Sequence, residues 1–181
     1  VLADALARVG HGALAVACAD TDEAACIAAV AAVVARFGGV DVLVANAGRT
    51  HLSFFADTDA GVFRRIMDVN FFGALHVTRA ALPSLRARRG RIAVLSSVAG
   101  FAPLAGRSGY AASKHALHGL FESLRGELAH EGVSVTMVCP SFVRTAIGER
   151  ALGLRSAHAP ALMPGPLPRH LASGSAGRDW R

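Results

Sequence analysis

Lysine, tyrosine and tryptophan each occur once in the 181-residue chain, and only 18% of its residues are charged. Its three cysteines, Cys18, Cys26 and Cys139, have neither metal-ligand spacing nor the dense, even-numbered pattern of a secreted disulfide scaffold. They fit small apolar positions in a reducing compartment, and the expected location is cytoplasmic. No apolar run approaches the length that crosses a bilayer, so no membrane span is expected. The net charge of +6 raises the question of nucleic acid. Apart from Arg86, Arg88, Arg89 and Arg91 around one turn, however, the arginines are scattered and no aromatic residues interleave with them, which argues against a nucleic-acid groove. His115 and His118 have no partner at metal spacing and point to surface or interface positions, with no metal expected.

What the chain does have is apolar material, 52% of its residues, enough for one globular core. Short apolar runs alternate with longer helical stretches, the pattern of strand-helix-strand units on a parallel sheet, and so of an α/β fold. Ala13 to Ala19 reads as a buried strand, Asp22 to Phe37 as a helix ended by Gly38 and Gly39, and Val40 to Ala45 as a second strand that Asn46-Ala47-Gly48 turns away. A long helix is expected over about Asp59 to Arg86, a strand over Arg91 to Ser96, a helix over about Ser108 to His130, and a last strand over Ser134 to Cys139, closed by Pro140. Parallel strands share one carboxyl edge, where open sheets bind ligands, and Asn46, Ser97 and Pro140 to Thr145 fall there. Phe54, Phe55, Phe71 and Phe72 are expected to pack in the core or between helices.

Residues 1–148 form the expected domain; residues 149–181 dissolve into Pro, Gly, Ala, Ser and Arg, an irregular tail with the remnant of a substrate loop. The opening has no glycine-rich turn from a first strand into a helix, so the chain reads as a fragment of a larger fold.

The single tyrosine and the single lysine, Tyr110 and Lys114, stand four apart on one helix and so share a face. An ammonium beside a phenol favours the ionised phenol, which makes the pair a plausible acid/base catalyst. Ser97, directly after the third of the four expected strands, can join them, because the loop through Gly100 and Gly109 returns the chain to the strand end.

From about Leu14 to Thr145 these features resemble the short-chain dehydrogenase/reductase family, in the family's order. Asn46-Ala47-Gly48 is similar to its Asn-Ala-Gly turn, Asn70 to the asparagine of its long central helix, Ser97, Tyr110 and Lys114 to its catalytic set, and Pro140 to Thr145 to its Pro-Gly-x-Val-x-Thr segment. The resemblance implies a Rossmann-like doubly wound parallel sheet lacking its first strands and glycine-rich loop. It also implies NAD or NADP as cofactor, a small alcohol or carbonyl as substrate, and a homo-oligomeric parent enzyme. In that reading Tyr110 exchanges a proton with the substrate oxygen while hydride moves to or from the nicotinamide. Ser97 hydrogen-bonds that oxygen, Lys114 holds the nicotinamide ribose, and Asn70 holds a water joining Lys114 to solvent. Val143 and Thr145 meet the carboxamide, and Asp20 receives the adenine edge.

Departures accompany the likeness. Ala45 stands where the family often has a further asparagine, Ser141 replaces the glycine after Pro140, and the usual Asp-Val falls one position before Asp20, at Ala19. Without the glycine-rich loop, the chain alone is expected to bind cofactor poorly and to be inactive. The alternative is a catalytically inactive fragment that only self-associates through helices 59–86 and 108–130.

Overall fold

A computed structural model describes residues 12–102, 104–141, 143, 147–148 and 150–153. Helix α1, Glu23–Phe37, starts at Asp22, whose carboxylate accepts the Ala24 and Ala25 amides at 2.9 and 3.2 Å. It stops at Gly38, which takes the left-handed backbone (φ 80°) and donates its N–H to Val34 O at 2.8 Å. Glu23 in the first turn and Arg36 in the last complement the helix dipole. Strand β1, Val42–Ala45, follows, then helix α2, Ala60–Met67, capped by Asp59. A π-helical turn over Asp68–Phe72 joins α2 to helix α3, Gly73–Arg88. Strand β2, Arg91–Leu95, helix α4, Ser108–Leu128, and strand β3, Ser134–Val138, complete the order.

The three strands are all parallel, in the order β1-β2-β3. Alternation sets two inward rows: Leu43, Ile92 and Val135 align across the sheet, as do Ala45, Val94 and Met137. Against them α3 places Ala74, Ala81 and Leu85, and α4 places Leu117, Phe121 and Leu128, in one cluster. Complete burial of Phe121 and Leu85 contributes about 2 to 3 kcal/mol each. The opposite face carries Val42 and Val44, which are 53% and 57% exposed. The basic turn after α3 is a solvated corner: Arg88 pairs with Asp41 at 2.8 Å, Arg86 with Glu131 at 2.7 Å, and Arg89 adopts the left-handed cap.

One expected element is absent. Residues 13–19 carry no strand and are mostly exposed, because a strand needs a neighbour to take its backbone N–H and C=O groups and none of the described strands pairs with it. The four phenylalanines also divide: Phe71 packs against the core, whereas Phe54, Phe55 and Phe72 are 42%, 75% and 42% exposed. Of the cysteines, Cys26 is buried, Cys139 is half-buried and Cys18 is exposed. Residues 1–11 and nearly all of the tail beyond residue 148 lie outside the described residues. No helix among the described residues is long and apolar enough to cross a membrane.

Candidate active site

The carboxyl ends of β1 and β2 and the first turns of α4 meet at one place. Lys114 is buried there, 4% exposed, and its ammonium donates to the Leu95 carbonyl at the end of β2 (2.6 Å). The nitrogen lies 5.7 Å from the centre of the Tyr110 ring, one helical turn back on the same face. Burial pulls the Lys114 ammonium down from 10.5 to about 8, with Cys139 acting weakly the other way. No carboxylate among the described residues forms an ion pair with it.

Above Lys114 runs the turn Asn46-Ala47-Gly48. A methyl group on Gly48 would stand 3.5 Å from Asn70 Oδ1 and 3.8 Å from Lys114 Nζ, so the three residues form one cluster. Asn70, 1% exposed, sits in the π-helical turn. Its Oδ1 accepts the Arg49 amide at 2.7 Å, and its Nδ2 donates to Arg49 O at 2.9 Å and Ser113 Oγ at 2.8 Å. Ser113 in turn donates to the Tyr110 carbonyl at 2.7 Å. The Asn70 side chain thus fixes the turn after β1 against the face of α4 that carries Tyr110 and Lys114.

Ser97 caps the short 3-10 turn Val98–Gly100, its Oγ accepting the Ala99 amide at 3.1 Å. Ala99 packs against Tyr110 and Ala111, so serine and tyrosine come from adjoining segments of one buried cluster. The Pro140 carbonyl accepts the Val98 amide at 3.2 Å and ties the end of β3 to this turn. Val143 is 61% exposed, and Thr145 lies outside the described residues.

Asp20, Asn46 and Ala47 line a separate, mainly apolar cavity of about 360 Å³, with Val44, Gly73 and Val77 among its other walls. Asp20 enters because Gly73 has no side chain: a methyl there would come within 3.1 Å of the carboxyl carbon. The two regions meet along residues 46–48, the cavity on one side and Lys114 on the other.

Two histidines have roles that residue spacing did not suggest. His118 lies 3.0 Å from Ser96 Oγ and 3.7 Å from Cys139 Sγ, and packs on the Phe101 ring, while His115 is exposed as expected. His51 is completely buried and accepts the Gly109 amide at the start of α4. Its partner is 58 residues away, so no local pattern marks it.

The chain is similar to known proteins. A model of the short chain dehydrogenase family matches residues 1–152. Dehydrogenase/reductase SDR family member 7B of Rattus norvegicus is 38% identical over 132 residues, 72% of this chain and 41% of that protein. Dehydrogenase/reductase SDR family member 7 of Homo sapiens is 38% identical over 134 residues, 73% of this chain and 40% of that protein. Among solved structures, a short-chain dehydrogenase from Streptomyces avermitilis superposes with a TM-score of 0.76 at 39% identity, covering 80% of this chain and 54% of that one. A short chain dehydrogenase/reductase from Burkholderia phymatum, solved in complex with NAD, also gives 0.76, at 29% identity, over 88% of this chain and 59% of that one. The chain therefore spans about two fifths of the length of these curated relatives.

Proposed function

Because the chain belongs to the short-chain dehydrogenase family, we propose that the protein is an NAD(P)-dependent oxidoreductase that interconverts an alcohol and a carbonyl, with Ser97, Tyr110 and Lys114 as its catalytic set. One observation carries the reading. The chain's single lysine is buried beside its single tyrosine with no carboxylate partner among the described residues, and the Leu95 carbonyl engages one of three N–H donors. An ammonium so placed suits uncharged oxygen ligands such as the paired hydroxyls of a ribose. The cavity lined by Asp20, Asn46 and Ala47 suits a flat apolar ring with a polar edge. The residues present therefore fit a nicotinamide dinucleotide, which Asp20, Asn46, Ala47 and Lys114 would hold. The NAD complex of the Burkholderia phymatum relative supports the same choice of cofactor class.

The bound nicotinamide supplies the hydride chemistry. The chain's residues handle the proton. Tyr110 gives its phenolic proton to a carbonyl oxygen that is being reduced, or takes one from an alcohol that is being oxidised. Ser97 Oγ donates to that same oxygen and stabilises the charge that builds there. With its ammonium held near 8, Lys114 remains mostly protonated at neutral pH and faces the tyrosine ring with positive charge. Asn70 keeps residues 46–49 in register with α4.

The test is Tyr110→Phe in the natural polypeptide, screened with primary and secondary alcohols and their carbonyls against NAD(H) and NADP(H). Loss of turnover by about a hundredfold or more, with cofactor binding retained, is expected from removing a general acid/base. Turnover near the parent rate would remove Tyr110 from the mechanism.

A further inference from the structure

We propose that His51 is a positioning residue for this reaction: from the segment after β1 it holds the first turn of α4, and with it Tyr110, by accepting the Gly109 amide on Nε2 as a neutral, Nδ1-protonated imidazole. The proposal rests on the reading of Tyr110 as the proton-transfer group.

Helix α4 begins without help from its own neighbours. Arg107 occupies the N-cap position and makes no side-chain cap bond, although the first-turn amides of any helix need partners from outside it. Gly109 N–H finds one in His51 Nε2, at 2.9 Å. Tyr110 is the next residue, so the amide that His51 grips sets the start of the turn from which the phenol projects.

The tautomer follows from the bonds around the ring. Thr58 Oγ1 donates to the Phe54 carbonyl at 2.6 Å, so its lone pairs are what it offers to Ser53 Oγ at 2.7 Å. Ser53 must then donate to Thr58, and so accepts from His51 Nδ1 at 3.3 Å. That places the ring proton on Nδ1 and leaves the Nε2 lone pair for Gly109. Every donor in the chain from Thr58 to Gly109 has one acceptor, with no choice left over.

Space is as constrained as hydrogen bonding. His51 is 0% exposed and its ring centre lies 5.7 Å from that of Phe63 on α2. A side chain at Gly109 would put its first carbon 2.8 Å from Phe63 Cδ1 and 3.2 Å from His51 Nε2. Around the ring the backbone is laced to two other segments: Ser53 N–H to Gly106 O at 3.0 Å, Leu52 N–H to Leu152 O at 2.9 Å, and Leu152 N–H to Thr50 O at 2.9 Å.

Charge enforces neutrality. Arg107, reaching Thr50 Oγ1 from the α4 side, is the charged group that acts on His51; the groups facing it from the other elements are the Ser53 and Thr58 hydroxyls and the Phe63 ring. Burial first, and Arg107 second, hold His51 below its ordinary 6.5. A proton forced onto Nε2 would oppose the Gly109 N–H and the positive end of the helix at once. Activity should therefore fall on the acid side as the grip on Gly109 is lost.

His51→Gln and His51→Leu separate the hydrogen bond from the volume, because a glutamine Oε1 can reach the place of Nε2 and a leucine cannot accept. In the natural polypeptide, His51→Leu should lower kcat by about tenfold or more while the KM for cofactor changes little, since the nicotinamide contacts lie on other residues. His51→Gln should recover most of that loss and should lack the acid-side fall that is expected of the unaltered protein. Nitrogen-15 imidazole spectra of the unaltered 181-residue chain should show the Nδ1–H form, and amide exchange at Gly109 and Tyr110 should accelerate in His51→Leu. An Nε2–H spectrum, or unchanged kcat in a folded His51→Leu, would overturn the proposal; should that variant not fold, the imidazole spectrum and the His51→Gln acid limb still decide it. Turnover near the parent rate in Tyr110→Phe, together with the expected spectrum and exchange, would sink the catalytic reading and leave His51 as the clamp on α4.

Discussion

Replacing Lys114 by methionine removes a buried ammonium and keeps an unbranched chain of similar bulk. Lys114 falls from 10.5 to about 8 on folding, which corresponds to about 3 kcal/mol of opposition to folding when the group is protonated in the unfolded chain. Between those two values the unfolded chain holds a proton that the folded one has released, so raising the pH across this window favours the folded form. The penalty is fully present below pH 8 and gone above 10.5. Over the accessible range from pH 8 to pH 10 the unaltered chain should gain about 2 kcal/mol from this source, and Lys114→Met should gain none. Cys26 acts with the opposite sign, because burial raises its thiol from 9.0 to about 11 and the folded chain then keeps a proton that the unfolded one gives up. That contribution is common to both proteins and cancels in their difference. Urea unfolding followed by circular dichroism, at intervals from pH 7 to pH 10, gives the two stability curves. Parallel curves would mean that the ammonium is solvated, and the account of Lys114 as a buried cation awaiting oxygen ligands would fail.

Lys114→Arg should lower activity by more than one order of magnitude, about 1.4 kcal/mol of transition-state stabilisation, because a planar guanidinium cannot occupy the place of a compact ammonium bonded to Leu95 O; unchanged kinetics would make the group a spectator. Asn70→Ala removes three hydrogen bonds and should cost about 3 kcal/mol of stability, read by the urea midpoint, with a loss under about 1 kcal/mol showing that water replaces the amide. Phe121→Ala empties the centre of the core and should cost about 3 to 5 kcal/mol, which a small change in thermal unfolding would contradict.

The strands and helices that the sequence makes legible are those whose pattern is settled by contacts within the described sheet. Val42–Ala45, Arg91–Leu95 and Ser134–Val138 fall within a residue or two of the apolar runs that announce them, and Asp22, Gly38 and Asp59 mark helix ends by their own chemistry. Residues 13–19 have the same composition and no strand, because β structure depends on a partner that composition cannot supply. The Lys114 and Tyr110 pairing was visible because four residues on a helix fix a shared face. His51 was not, since its bond to Gly109 crosses 58 residues and its neighbours Thr50 and Ser53 show no periodicity. Phe54 and Phe55 read as core by type alone, yet they sit in or beside a short 3-10 turn with too little structure over it to cover them.

The π-helical turn at Asp68–Phe72 works as a phase correction along one continuous rod. Its signature is the Gly73 amide bonded to Asp68 O, five residues back. In α2 the buried positions are Val62 and Ile66, and that stripe, continued on an unbroken α-helix, would turn Val77, Ala80 and Ser84 inward. Beyond the first turn of α3 the buried positions are instead Thr78, Ala81 and Leu85, each one place later. The wide turn therefore absorbs one extra residue, and the buried stripe of α3 stays in line with that of α2 instead of falling about 100° off it. Asn70 stands at the step. Adding or removing a residue elsewhere along the rod, where no wide turn takes up the difference, would leave every side chain beyond it chemically intact yet aimed about 100° away from its present neighbour.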